Sequence, residues 1–394
     1  MKRSLLVSRI LIVVAVVCTS SFVSAEGQGE RDEAALQPLD SRDEEAGTLE
    51  QQAAARSAQV EVRGWDYVVA TSEEMVDTRR FQRAGPYTIG YATIFMANSW
   101  SAQLKREIEA EAAAQGAVVD RIVHIDAELE TVNQISAVED MIARGVDAIV
   151  IDPISPTALS GVFQRARESG IPVIAISSPI PLEQVTAWVG RDDAEYGAVT
   201  ARWLAETLGG RGSVVALSGI AGNPVAERRW EGANGVFERY PEIRIVTREF
   251  ADWGFAQAKS AMANVLAAYP EMDAVWSGGG AMTQGAMEAF SDARREMVPM
   301  VGEANNGFLL DWIESSDAGF SGIAFNNPTS HSAIGLRLAL MTLRGQPIPK
   351  SVDVTGPYIF TLDNARRYAR EDLEDGYWVG HTLTEEAVEE LWGR

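Results

Sequence analysis

The chain has 394 residues, enough for two or three domains with sizeable cores. Its 34 Lys and Arg stand against 56 Asp and Glu, a formal charge of −22 that repels phosphate backbones and argues against nucleic acid as a partner. Past the N-terminal segment, no apolar run approaches the roughly 20 residues that cross a bilayer.

The first residues read as an export signal. Lys2 and Arg3 form a positive start, the stretch 10–17 is apolar and uncharged, and Val23-Ser24-Ala25 offers small residues for cleavage before Glu26. Residues 1–25 are therefore expected to be removed. Cys18, the only cysteine, leaves a second possibility open, a lipoprotein anchored through that residue; the Ala15-Val16-Val17 before it fits that pattern poorly. Cleavage before Glu26 leaves a mature chain with no thiol and no disulfide. Residues 26–85 are expected as an acidic, partly flexible extension, because the stretch to about residue 59 is poor in groups that bury. The short amphipathic piece around Trp65 and Tyr67 is not assigned.

From Pro86 the pattern becomes regular. Apolar, β-branched runs at 88–94, 117–125, 147–151, 172–176 and 185–189 alternate with helical spacings at 101–115, 132–144 and 157–169, and the helices stop at Gly116, Gly145 and Gly170. The rhythm then restarts. Helices are expected at 195–208, 226–240, 256–269 and 284–291, with another starting near Phe308. Strands are expected at 213–217, 243–250, 274–276 and 299–301. Strands separated by long helices require parallel sheets with right-handed crossovers, and two such runs predict two similar lobes. Strands at 321–325 and 358–360 with a helix at 332–343 are expected to cross back between the lobes.

Ligands of open parallel sheets sit outside the carboxyl ends of the strands. The residues following each strand here are Phe95 to Trp100, Asp152-Pro153, Ser177-Ser178, Asp192-Asp193, Gly222-Asn223-Pro224, Asp252-Trp253, Gly278-Gly279-Gly280, Glu303 to Asn306 and Asn326-Asn327-Pro328. Asn, Asp, Gly and Pro have turn roles of their own. Trp100 and Trp253 have none, and an indole face packs well on the C–H face of a sugar ring while polar neighbours take its hydroxyls.

Several segments together are specific: 89–100, 141–153, 169–174, 219–232, 273–279 and Gly285-Ala286. They resemble the periplasmic sugar-binding proteins of the ribose-binding type, which share their core with LacI-type repressors, over about residues 86–344. The resemblance implies an α/β fold of two Rossmann-like lobes with parallel sheets joined by a three-strand hinge, the type I periplasmic-binding architecture. It implies a first lobe from residues 86–191 and 326–352, a second from 192–325 and 353–380, and a tail from 381. It also implies an exported protein that captures a small polar solute, a sugar, and hands it to the permease of an ABC importer; a sensory partner such as a chemoreceptor or histidine kinase is the alternative. Contact with the membrane is expected only through that partner or a lipid on Cys18.

Strand-end position and the same resemblance together mark as ligand contacts Asn98, Ser99 and Trp100 on the first loop, then Asp152, Ser177, Asp193, Asn223, Glu227, Arg228, Trp253, Gly279, Glu303, Asn305 and Asn326, with Asn327 the alternative at the last position. Departures are visible. Ser177-Ser178 stands where the family carries Asp-Arg, Glu227 where an Arg often sits, and Gly279-Gly280 where Asn-Asp is usual. The fold expectation survives these changes; a particular sugar does not follow. A repressor would need a basic helix-turn-helix ahead of the core, and the chain has a signal segment and an acidic stretch there instead. An enzyme is not expected: His124, His331 and His381 lie on different elements, and no nucleophile elbow, phosphate loop or metal-ligand spacing occurs. No cofactor, metal or catalytic residue is assigned.

Overall fold

The computed structural model describes residues 70–354 and 359–394. The signal segment, Cys18, Trp65, Tyr67 and most of the expected extension lie outside them.

The first lobe is built on β3 (Tyr87–Thr93), α1 (Ser99–Ala114), β4 (Val119–Asp126), α2 (Thr131–Ala143), β5 (Ala148–Ile151), α3 (Ser160–Glu168), β6 (Val173–Ser177) and β7 (Ala187–Gly190). The second follows with α4 (Asp193–Thr207), β8 (Arg211–Ser218), α5 (Pro224–Phe237), β9 (Glu242–Phe250), α6 (Phe255–Ala268), β10 (Ala274–Ser277), α7 (Gly280–Asp292), β11 (Met300–Glu303), α8 (Asn306–Ser316) and β12 (Gly322–Phe325). The chain then returns through α9 (His331–Leu343), which packs on the first sheet, and β14 (Ser351–Asp353) before passing to β15 (Ile359–Phe360) in the second. Helices α10 (Leu362–Tyr368) and α11 (Glu385–Trp392) close the chain.

Two strands before β3 complete the picture: β1 (Ala70–Thr71) pairs antiparallel with β14, and β2 (Met75–Val76) pairs antiparallel with β13 (Ile348–Pro349). The first sheet runs β1-β14-β7-β6-β5-β3-β4 and the second β15-β12-β11-β10-β8-β9. Apart from β1 and β15 at the edges, neighbouring strands in both sheets are parallel.

Both sheets are covered on two faces, which is why their strands read as unbroken apolar runs. Alternation still sorts the side chains. Ala148 and Val150 of β5 face the cluster with Ile89, Tyr91 and α9, whereas Ile149 and Ile151 face the one with Met141, Val162 and Phe163. In β8, Val215 and Leu217 face Met262 and Phe290, while Val214 and Ala216 face Leu204 and Phe237.

Two parts differ from the sequence reading. The end of the expected extension is part of the fold, because β1 supplies an edge partner that β14 would otherwise lack. The expected tail is also packed: Val388 and Trp392 of α11 are buried with the second lobe's core, since the helix is amphipathic and Thr384 caps its start.

Candidate functional site

The lobes meet along a cavity at the carboxyl ends of both sheets. The cavity and its open mouth together enclose about 690 Å³. From the first lobe it is lined by Ile94, Phe95, the start of α1 from Asn98 to Ser101, Asp152, Ser177, Ser178 and Arg191. From the second come Asn223, Val225, Arg229, Trp253, Gly279, Gly280, Ala281 and Glu303. Asn327, between β12 and α9, and Trp378 complete the wall.

Local rules place these residues. Asn98 caps α1, its side-chain oxygen accepting from the Ser101 N–H at 2.8 Å, and Asn223 caps α5, accepting from Val225 and Ala226 N–H at 3.0 and 3.2 Å. Each amide oxygen is thus spent on a helix, and the NH₂ group is what each Asn has left to offer. Trp253 is seated by backbone: Asp252 and Trp253 have φ of 48° and 58°, a left-handed pair that turns the indole back toward β8. The ring fits only because Gly219 has no side chain; a Cβ there would lie 2.0 Å from it. Ser177, at φ 57°, marks a second strained strand end on the wall.

Beneath the second-lobe wall lies a buried ionic network. Arg229 donates from Nε to Asp193 Oδ1 at 2.9 Å and from Nη1 to Glu303 Oε1 at 2.7 Å and to the Gly278 carbonyl. Its guanidinium lies 4.2 Å from the centre of the Tyr196 ring and 5.2 Å from that of Trp253. Burial alone would lower the pKa of Arg229, but Glu303 and Asp193 outweigh it and hold the charge firmly. Glu303 also accepts from Asn327 Nδ2 at 2.8 Å and from the Gly280 N–H at 3.3 Å.

Arg191 reaches the same Asp193 oxygen at 3.0 Å, yet its Nη1 is buried with no partner among the described residues. Burial lowers its pKa, against the pull of Asp193. On the same first-lobe wall, burial pushes the Asp152 carboxyl up to about 7, partly offset by Ser178, whose N–H donates to it at 3.2 Å. The wall therefore presents an arginine with an unused donor and a carboxyl able to donate or accept near neutral pH.

Of the residues expected from sequence, Asn98, Ser99, Trp100, Asp152, Ser177, Asn223, Trp253, Gly279 and Glu303 line this one cavity. Five do not. Asp193 lies under the wall between the two arginines. Glu227 pairs with Arg248 at 3.1 Å and Arg228 with Glu231 at 2.7 Å on the helix surface. Helical phase is the reason: Val225 and Arg229, four apart, share the face toward the cavity, and 227 and 228 turn away from it. Asn305 is buried and bridges by its backbone to Trp378, and Asn326 is fully buried away from the cavity lining. Asn327, the alternative to Asn326 at that position, and Ser178 beside Ser177 line the cavity, as do Arg191, Arg229 and Trp378, which the sequence did not single out. Counting four residues on from Val225 would have found Arg229; no local signal marks Trp378.

Residues 89–347 match the family described as periplasmic binding protein domain. The chain belongs to that family. Among its relatives, the xylitol-binding protein of Mycolicibacterium smegmatis is 30% identical over 232 residues, which span 59% of this chain and 66% of that protein, just under two thirds. The ribose import binding protein of Bacillus subtilis is 27% identical over 266 residues, 68% of this chain and 85% of that one. Among solved structures, a periplasmic solute-binding protein of an ABC transporter from Actinobacillus succinogenes, with bound D-allose, is 28% identical. It superimposes with a TM-score of 0.61 over 72% of this chain and all of its own. As a periplasmic binding protein, this chain has the two α/β lobes of its type I relatives, and no helix among the described residues is long and apolar enough to cross a membrane.

Proposed function

We propose that this periplasmic binding protein is an exported receptor that captures a neutral polyhydroxylated solute, a sugar or polyol, and delivers it unaltered to the permease of an ABC importer. One observation carries the reading: a single cavity is walled by both lobes, with an indole from each beside a few fixed polar groups. Relatives named for xylitol and ribose, and a structural neighbour holding D-allose, support the ligand class. The ligand contacts are Asn98, Ser99, Trp100, Asp152, Ser177, Asn223, Trp253, Gly279 and Glu303, joined by Arg191, Arg229 and Asn327.

The chemistry follows from the wall. Trp100 and Trp253 give apolar faces for a ring or carbon chain, while Asp152 and Arg191 offer an acceptor and an unused donor to hydroxyls. Arg229 is already neutralised by Asp193 and Glu303, so an uncharged ligand leaves no buried charge unpaired. Contacts from both lobes favour the closed arrangement by the ligand's differential affinity for it. The crossings after β7 and after β12 absorb the rotation.

The test is thermal denaturation against xylitol, D-ribose, D-allose and, as controls, sugar phosphates and nucleosides. A ligand at 100 times its Kd adds about 2.7 kcal/mol of stability, and the bound compound is recovered unchanged. Stabilisation only by charged compounds, or conversion of the ligand to product, would overturn the reading.

A further inference from the structure

The residues after β15 lie beyond the family match, which ends at 347, and they touch both lobes in chemically different ways. Toward the second lobe the contact is apolar and backbone-anchored. Leu373, Tyr377, Val379, Leu383, Val388 and Trp392 are buried in its core. Asn306, at the start of α8, donates from Nδ2 to the Arg370 and Leu373 carbonyls at 2.8 and 3.1 Å. Its N–H donates to the Tyr377 carbonyl at 2.8 Å.

Toward the first lobe the hydrogen-bonded contact falls on one helix. Gln103 of α1 is fully buried and its amide makes four hydrogen bonds. Oε1 accepts from the Trp378 N–H at 3.0 Å and Trp392 Nε1 at 2.8 Å; Nε2 donates to the Trp378 carbonyl and to Thr329 Oγ1, both at 2.9 Å. One turn on, Glu107 Oε2 accepts from the Thr382 N–H at 2.9 Å and its hydroxyl at 2.7 Å. One turn back, Ser99 accepts from Trp378 Nε1 at 2.9 Å, and both residues line the cavity.

We propose that residues 373–394 form an interlobe latch that also supplies a wall of the ligand site, Trp378. Hinge opening separates α1 from the second lobe. The apolar anchorage keeps the segment with the second lobe, so the bonds to Ser99, Gln103 and Glu107 must break. Gln103 is the centre of the latch because its side-chain amide pairs with both polar groups of one backbone residue, as a neighbouring strand would. An intact latch keeps Trp378 on the cavity wall and slows ligand exit.

The experiment compares the full-length protein with Q103L and with T382V, which removes a single hydroxyl and spares the fold. Amide exchange on the ligand-free proteins is read at Trp378, at Thr382, and at Gly307 on the anchored side. In Q103L the Thr382 N–H is expected to lose protection along with Trp378, although its own partner Glu107 is unchanged, while Gly307 stays protected. Small-angle scattering is expected to show a larger radius of gyration for ligand-free Q103L than for wild type. Of xylitol, D-ribose and D-allose, any that stabilises the wild type should leave Q103L at least tenfold faster and T382V severalfold faster. Only this release arm rests on the proposed function; if none of the three binds, exchange and scattering still decide. Loss of protection confined to Trp378, with unchanged scattering, would overturn the latch, as would T382V and Q103L both releasing ligand at the wild-type rate.

Discussion

Asp193 meets Arg229 at 2.9 Å inside the second lobe, and each side chain is only 2% exposed. Asp193 also faces Arg191, so a single carboxylate is placed against two guanidinium groups from different segments. Replacing it by Asn leaves both charges buried with less compensation than desolvation requires. D193N is expected to cost about 3–5 kcal/mol in chemical denaturation, far more than E227Q, whose side chain is half-buried at the surface. Equal losses for the two would contradict a buried network.

Trp100 and Trp253 reach the cavity from different lobes. Replacing either with Ala should weaken binding of the stabilising sugar by about 1–3 kcal/mol, measured by titration calorimetry. Unaltered affinity in both variants would mean that the ligand does not rest on the indoles.

Gly219 offers a steric test that leaves both indoles in the sequence. A methyl at this position would lie 2.0 Å from the Trp253 ring. G219A should therefore displace the ring, lowering affinity as W253A does, with about 1–3 kcal/mol of overpacking cost to the fold. Wild-type binding by G219A would show that the position of the ring is irrelevant.

Burial pushes the Glu107 carboxyl up to about 7, with Thr329, Thr382 and Arg337 pulling the other way. The folded protein thus holds this proton more tightly than the unfolded chain. The resulting stability is full below the ordinary glutamate value and is lost as pH rises through about 7. The difference is on the order of 3 kcal/mol. Asp152 acts in the same sense, and His381, pushed down to about 4 by burial, in the opposite one. The comparison of wild type with E107Q isolates the glutamate: the variant should gain relative stability between pH 5 and pH 8. Parallel melting curves across that range would show that Glu107 does not titrate there.

Maturation at Ala25 should leave an N-terminus at Glu26, read by intact-mass spectrometry of protein from the exporting cell. A diacylglycerol-modified Cys18 would establish the lipid anchor in its place.

What the sequence determined by itself is what local chemistry controls. Runs such as Ala148–Ile151, helical spacing stopped by Gly145 and Gly170, and two repeats of the same rhythm are enough for two parallel-sheet lobes. The rule that ligands sit at strand ends was enough to bring Trp100, Asp152 and Trp253 to one cavity. Tertiary structure decided everything that depends on distant partners. The shared carboxylate of Asp193 joins Arg191 and Arg229, 38 residues apart in sequence. Trp378 reaches the site because Gln103, 275 residues earlier, has an amide that pairs with its backbone. Short β1 carries too few residues for any pattern and exists only because β14 presents an edge to pair with. Propensity and periodicity act over one or two turns, whereas ion pairs, caps between lobes and edge pairing are selected by what the fold brings alongside.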